Sequence, residues 1–133
     1  MRDTSTLGSR AEAAVMSALL NAGYDVLIPF NGSRRYDLVI DDGALKKVQC
    51  KAGRLKKGVI IFNSASVART GVRKSYRGQV DYLGVYCPEN GKCYLVPVDA
   101  VPVNIGRLRV DVTKNGMKKG LTWAVDFEIK SRL

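Results

Sequence analysis

Arg34-Arg35-Tyr36-Asp37-Leu38-Val39-Ile40-Asp41-Asp42-Gly43-Ala44-Leu45-Lys46-Lys47-Val48-Gln49-Cys50-Lys51 decides how this chain folds. An apolar run, an Asp-Asp-Gly turn signal and a second run in which Val48 and Cys50 alternate with Lys47, Gln49 and Lys51 predict a β-hairpin. Side chains two apart on a strand share a face, so Val48 and Cys50 point to the core while Gln49 and Lys51 stand together on the other side. Loop length then places Asp37. A two-residue Asp42-Gly43 turn sets it opposite Val48, on the wrong face. A three-residue loop pairs Asp41 with Leu45 and sets Asp37 opposite Gln49, and this register is the expected one. It brings a carboxylate, an amide oxygen and an ammonium into one patch, a constellation suited to metal binding and proton handling.

The rest of the composition narrows the chemistry. At 133 residues the chain is expected to form one domain over 1–133, with an apolar share of 46%. Mean hydropathy is -0.09, and no stretch approaches the ~20 apolar residues of a membrane span. The N-terminus lacks a signal peptide's apolar centre, so a soluble, cytoplasmic protein with no membrane partner is expected. Three cysteines stand at 50, 87 and 93. Cys87 and Cys93 flank a turn and have the spacing to bridge, but without a secretion signal reduced thiols are expected. Histidine is absent. That removes Ser-His and Cys-His triads and nearly all catalytic zinc sites, leaving carboxylates, lysine and an oxygen-liganded cation for any hydrolysis.

Charge is unevenly placed. The net +10 comes wholly from residues 43 to 80, which hold ten Lys/Arg and no acid, while the remaining twelve bases and twelve acids cancel. Such a block is the electrostatic footprint of a polyanion binder. Phosphate contacts are expected from Arg54, Lys56, Lys57, Arg69, Arg73, Lys74 and Arg77, with Lys114, Lys118 and Lys119 as a second group. Asn63, Ser64, Ser66 and Gln79 have the chemistry to read bases.

In chain order, Ser9-Arg10-Ala11-Glu12 has a capping-box pattern, and Ala11, Ala14, Val15, Ala18, Leu19 and Ala22 then recur at helical spacing until Gly23. Glu12 lies at the margin of that apolar face, where it either caps the helix or reaches the sheet beneath. Tyr24 to Phe30 holds a short strand. Residues 52–58 form a basic loop, Val59 to Phe62 a buried strand, and residues 63–78 a long, mobile, positively charged loop. Strands over 79–86 and 92–97 make a second hairpin. A short helix starts at Asp99, residues 107–112 are an edge strand, and 113–120 form another basic flexible element. The tail from Leu121 to Ile129 fits helix and strand periodicity equally.

These elements suit an α/β domain, and the grouped residues suit phosphodiester hydrolysis. Asp37 and Gln49 supply hard oxygens, the Cys50 carbonyl a third, and Glu12 ligates directly or through water. Mg²⁺, which keeps several waters when few protein groups bind it, fits so sparse a set. Lys51 stands ready to orient or deprotonate the attacking water, or to neutralise charge.

Asp37 followed by Gln49-Cys50-Lys51 resembles the PD-(D/E)XK nuclease motif, with glutamine in the second acidic position. Glu12, Pro29, Tyr36-Asp37-Leu38-Val39, Val48-Gln49-Cys50-Lys51, Asp81-Tyr82, Val85-Tyr86-Cys87-Pro88 and Tyr94-Leu95-Val96-Pro97 together resemble the group I intron-associated, homing-type branch. The resemblance implies a restriction-endonuclease-like core, a central mixed β-sheet flanked by helices. It also implies Mg²⁺-dependent cleavage of double-stranded DNA (Mn²⁺ substituting) and a homo-oligomer, dimer or tetramer. Carried over, Asp37 and Gln49 are metal-site residues, Lys51 the catalytic lysine and Glu12 the helix acid. The alternatives left open are a structure-selective Holliday junction resolvase and a non-catalytic nucleic-acid-binding domain.

Overall fold

The computed structural model describes residues 4–32, 35–111 and 120–133. Helix α1 (Thr4–Asn21) is followed by β1 (Asp25–Leu27), β2 (Leu38–Asp41), β3 (Leu45–Ala52), β4 (Arg54–Lys56) and β5 (Val59–Asn63). Then come β6 (Ala65–Val67), β7 (Arg73–Ser75), β8 (Tyr82–Cys87), β9 (Lys92–Pro97) and β10 (Ile105–Arg109).

The central sheet has the order β1-β2-β3-β8-β9. It is mixed because β3 and β8 run parallel, with Val48 beside Tyr82 and Lys51 beside Val85, while its other pairs are antiparallel. Alternation along β3 and β8 splits the core in two. Val48 and Cys50 pack with Val15, Leu19, Leu38, Ile40 and Cys93 beneath α1. Leu83, Val85 and Cys87 pack on the opposite side with Ile60, Phe62, Tyr76, Tyr94, Val96 and Leu108. Ile60, Phe62 and Leu108 come from a three-stranded sheet, β10-β5-β4. The α/β, restriction-endonuclease-like core is therefore present, but the flanking helices reduce, among the described residues, to α1 and two single 3-10 turns. A β-layer covers the second face.

Helix α1 buries Ala11, Val15, Leu19 and Ala22, the i, i+4, i+8, i+11 stripe. It ends where Gly23 adopts φ +100. There Tyr24 N–H reaches Leu19 O and Gly23 N–H reaches Leu20 O, the pairing of a Schellman cap. Its start differs from the expected capping box. The helix is already running at Thr4, so Ser9 lies inside it and cannot be an N-cap. Glu12 is thereby released from capping.

Other expectations are corrected as well. The basic segment after β3 is not a loop: β4 pairs with β5, with Leu55 packed inward between exposed Arg54 and Lys56. Residues 63–78 are not a mobile loop either. They form the β6–β7 hairpin, in register from Ala65–Ser75 to Val67–Arg73, followed by buried Tyr76. Residues 98–100 make a 3-10 turn, and the edge strand is shifted to Ile105–Arg109. The tail is neither helix nor strand. A 3-10 turn at Ala124–Asp126 is flanked by single bridges from Trp123 to Arg109 and from Glu128 to Tyr94. Basic residues Lys114, Lys118 and Lys119 lie outside the described residues.

All three cysteines are free and buried. Cys87 and Cys93 sit on adjoining strands but face opposite cores, so they do not bridge. Burial pushes the Cys93 thiol up to about 11 and raises those of Cys50 and Cys87. Native protein is therefore expected to react with a thiol reagent at neutral pH only as fast as it opens, and denatured protein at once. A titration showing one fast thiol in the native state would contradict this packing.

Candidate active site

The β2–β3 hairpin has the three-residue register: Asp41 pairs with Leu45, and Leu38 with Val48. Continued one step, it sets Asp37 opposite Gln49. Backbone bonds show which edge of β3 serves the site. Lys47 O accepts Asp81 N–H on the β8 side. Val48 O instead accepts Asp37 N–H at 2.9 Å, and Cys50 N–H donates to Asp37 Oδ2 at 2.8 Å. The N–H and C=O of one strand residue point the same way, so the Cys50 carbonyl also aims past the end of β2, toward Asp37.

Asp37 is half-buried, and burial raises its carboxyl above the ordinary value although the Cys50 N–H and the Lys51 ammonium pull it back. Burial and then the Asp37 charge raise Glu12 in turn, which sets the helix carboxylate within electrostatic reach of the hairpin carboxylate. Both carboxylates also act on the Cys50 thiol. Gln49 and Lys51 are half-buried on the sheet face turned away from α1, beside Leu83 and Val85 of β8. Asp37 is thus tied to β3 by hydrogen bonds and coupled in charge to Glu12 on α1 and to Lys51.

The donor chemistry fits a hard divalent cation. It consists of two electrostatically coupled carboxylates, Asp37 and Glu12, an amide oxygen and a peptide carbonyl, with Asp37 already oriented by a backbone N–H.

Part of the site's surroundings escaped the sequence. Arg35 is half-buried and donates through Nε to Gln79 Oε1. Its Nη1 donates to Ser66 Oγ at 2.7 Å, and its Nη2 to Ser75 O at 2.9 Å and Lys74 O at 3.3 Å. Its guanidinium also lies 4.2 Å from the Tyr76 ring centroid, and Lys51 Nζ lies 4.8 Å from the same centroid. No local pattern connects residue 35 with residues 66 to 79. The one available signal was an arginine directly ahead of Tyr36-Asp37.

The expected base readers separate accordingly. Ser64 is buried and donates to Pro102 O at 2.6 Å, and Ser66 and Gln79 are engaged by Arg35. Asn63 is exposed. Among the expected phosphate contacts, Arg69, Arg73 and Lys74 are exposed on the hairpin that Arg35 ties to the site. Arg54, Lys56 and Lys57 are exposed on the second sheet and its turn. Arg77 is partly committed within the protein, donating to Val101 O at 2.7 Å and standing 3.8 Å from Asp99.

Compared with known families, residues 2–130 match the model of the PD-(D/E)XK endonucleases. The chain belongs to that family. A solved bacterial homing endonuclease, I-Ssp6803I, superposes on this PD-(D/E)XK endonuclease with a TM-score of 0.74 at 29% identity, covering 96% of this chain and 89% of the other. No curated protein sequence matches significantly. The chain is a nuclease of PD-(D/E)XK type with a homing endonuclease as structural neighbour. No described helix is long and apolar enough to cross a membrane.

Proposed function

We propose that this PD-(D/E)XK endonuclease cleaves double-stranded DNA with Mg²⁺ (Mn²⁺ substituting) and acts as a homing-type enzyme. The observation that carries the reading is the Asp37 carboxylate, held by the Cys50 N–H and coupled in charge to Glu12 and Lys51. Asp37, Gln49 and the Cys50 carbonyl would hold the ion, with Glu12 ligating directly or through water. When bound, such an ion lowers the pKa of a water and offsets charge on phosphoryl oxygens.

The chain's own groups do the remainder. The Cys50 N–H keeps one Asp37 oxygen turned inward, so the carboxylate needs no reorganisation as charge develops. Lys51 donates N–H bonds toward the scissile phosphate or the attacking water and offsets the negative charge that grows there. The hairpin cations Arg69, Arg73 and Lys74 hold neighbouring phosphates without reading sequence. One such centre cuts one strand, so cutting both strands calls for a second copy, and a dimer or tetramer is the form proposed.

Linear duplex, four-way junction and single strand digested side by side with Mg²⁺ test the reading. Preferential duplex cleavage is expected; selective junction cutting, or no cutting of any substrate, would overturn it. Replacing Arg69, Arg73 and Lys74 together by alanine should weaken duplex binding evenly across sequences. The slope of log affinity on log salt should flatten by about one unit per residue.

A further inference from the structure

Lys51 carries its ammonium on a flexible four-carbon stem, and holding such a stem in one geometry requires a partner. A carboxylate partner alone would tend to neutralise it. The Tyr76 ring, only 4% exposed, offers its face instead, with Lys51 Nζ at 4.8 Å from the centroid. A ring quadrupole attracts the cation but carries no net charge, so the ammonium is restrained and its full charge remains available to a phosphate. Tyr76 is in turn contacted from a segment distant in the chain. Arg35 approaches the same ring at 4.2 Å and spends its rigid fork on Ser66, Gln79 and the Lys74 and Ser75 carbonyls. Those bonds rivet the β6–β7 hairpin to the segment leading into Asp37, and they leave Arg35 little capacity for phosphate.

We propose that Tyr76 is a positioning residue for Lys51, with Arg35 locking the ring in place; this rests on Lys51 being the lysine that acts at the phosphate. The hairpin is then a wall of the active site as well as a support for DNA-facing cations.

The test uses the full chain nicking supercoiled plasmid with Mg²⁺, with kcat and KM measured separately. Tyr76→Phe keeps the ring and should stay within about threefold of the parent kcat. Tyr76→Leu removes the π face and should lower kcat roughly tenfold with KM nearly unchanged. Because leucine at a buried site can unsettle the fold, phenylalanines bearing one and then three ring fluorines at position 76 complete the series. They preserve shape while draining the face, and kcat should fall stepwise. A flat series, or a change confined to KM, overturns the proposal.

Lys51→Ala in parallel separates the two claims. Unimpaired cleavage by that variant removes the functional reading and this inference with it, whereas lost cleavage beside a flat fluorine series removes only the inference. NMR reads the contact without any cleavage. The Lys51 ε-methylene protons should lie upfield in the ring current and relax to ordinary positions in Tyr76→Leu, and ordinary positions in the parent protein would also overturn it.

Discussion

Asp37→Asn is expected to lower the cleavage rate by roughly 10³-fold, because a charged oxygen donor at the centre of the site becomes a neutral amide. The asparagine oxygen can still accept the Cys50 N–H bond, so the loss should come without local collapse. Stability should move the other way. In the metal-free protein Asp37 and Glu12 have raised carboxyl pKa values, so over the pH range above their ordinary values the folded state binds more protons than the unfolded chain. Their contribution is most favourable below the ordinary carboxylate range and is lost as pH rises through the raised folded values. Thermal unfolding of the parent should therefore become easier as pH climbs from about 4 toward neutrality. Asp37→Asn should flatten that slope and melt higher at neutral pH. Parental cleavage by the variant would remove Asp37 from the chemistry; an unchanged pH slope would remove the electrostatic account.

Gly84→Ala should damage fold and site together. A Cβ at this position would lie 2.7 Å from Val15 Cγ1 and 3.2 Å from Val48 Cγ1, where α1 closes on the seam between β3 and β8. Both neighbours are fully buried and β-branched, so neither can swing aside. Overpacking of this kind costs about 1–3 kcal/mol, a Tm lower by roughly 3 to 15 °C in a domain of this size. The helix that must lift to admit the methyl group is the one carrying Glu12, so cleavage should fall further than unfolding alone explains. Val15→Ala in the same chain makes room and should restore part of both losses. A Gly84→Ala protein with parental Tm would mean that the helix does not seat on this seam.

Locally coded features were legible in the residues alone. The hairpin register follows from a three-residue loop and period-2 alternation within residues 37 to 51, and a one-residue slip would turn every core side chain outward. The same holds for the end of α1 at Gly23 and for Gln49 and Lys51 sharing one half-buried face of β3. Two local patterns misled. The Ser9-to-Glu12 spacing imitates a cap but lies inside a helix already running at Thr4. The serine- and glycine-rich span after Asn63 lacks apolar periodicity because its order comes from a short hairpin pairing, a buried Tyr76 and hydrogen bonds to Arg35, distant in the chain.

What only the tertiary structure decided is everything that depends on partners far apart in sequence. This includes the parallel seating of β8 on β3, the electrostatic coupling of Glu12 to Asp37, the second β-layer against the sheet, and the Tyr76 ring under Lys51. Turn length and side-chain alternation act over a few residues and are written there. Contacts between distant segments depend on which buried surfaces close together, and that is settled only when the whole chain packs at once.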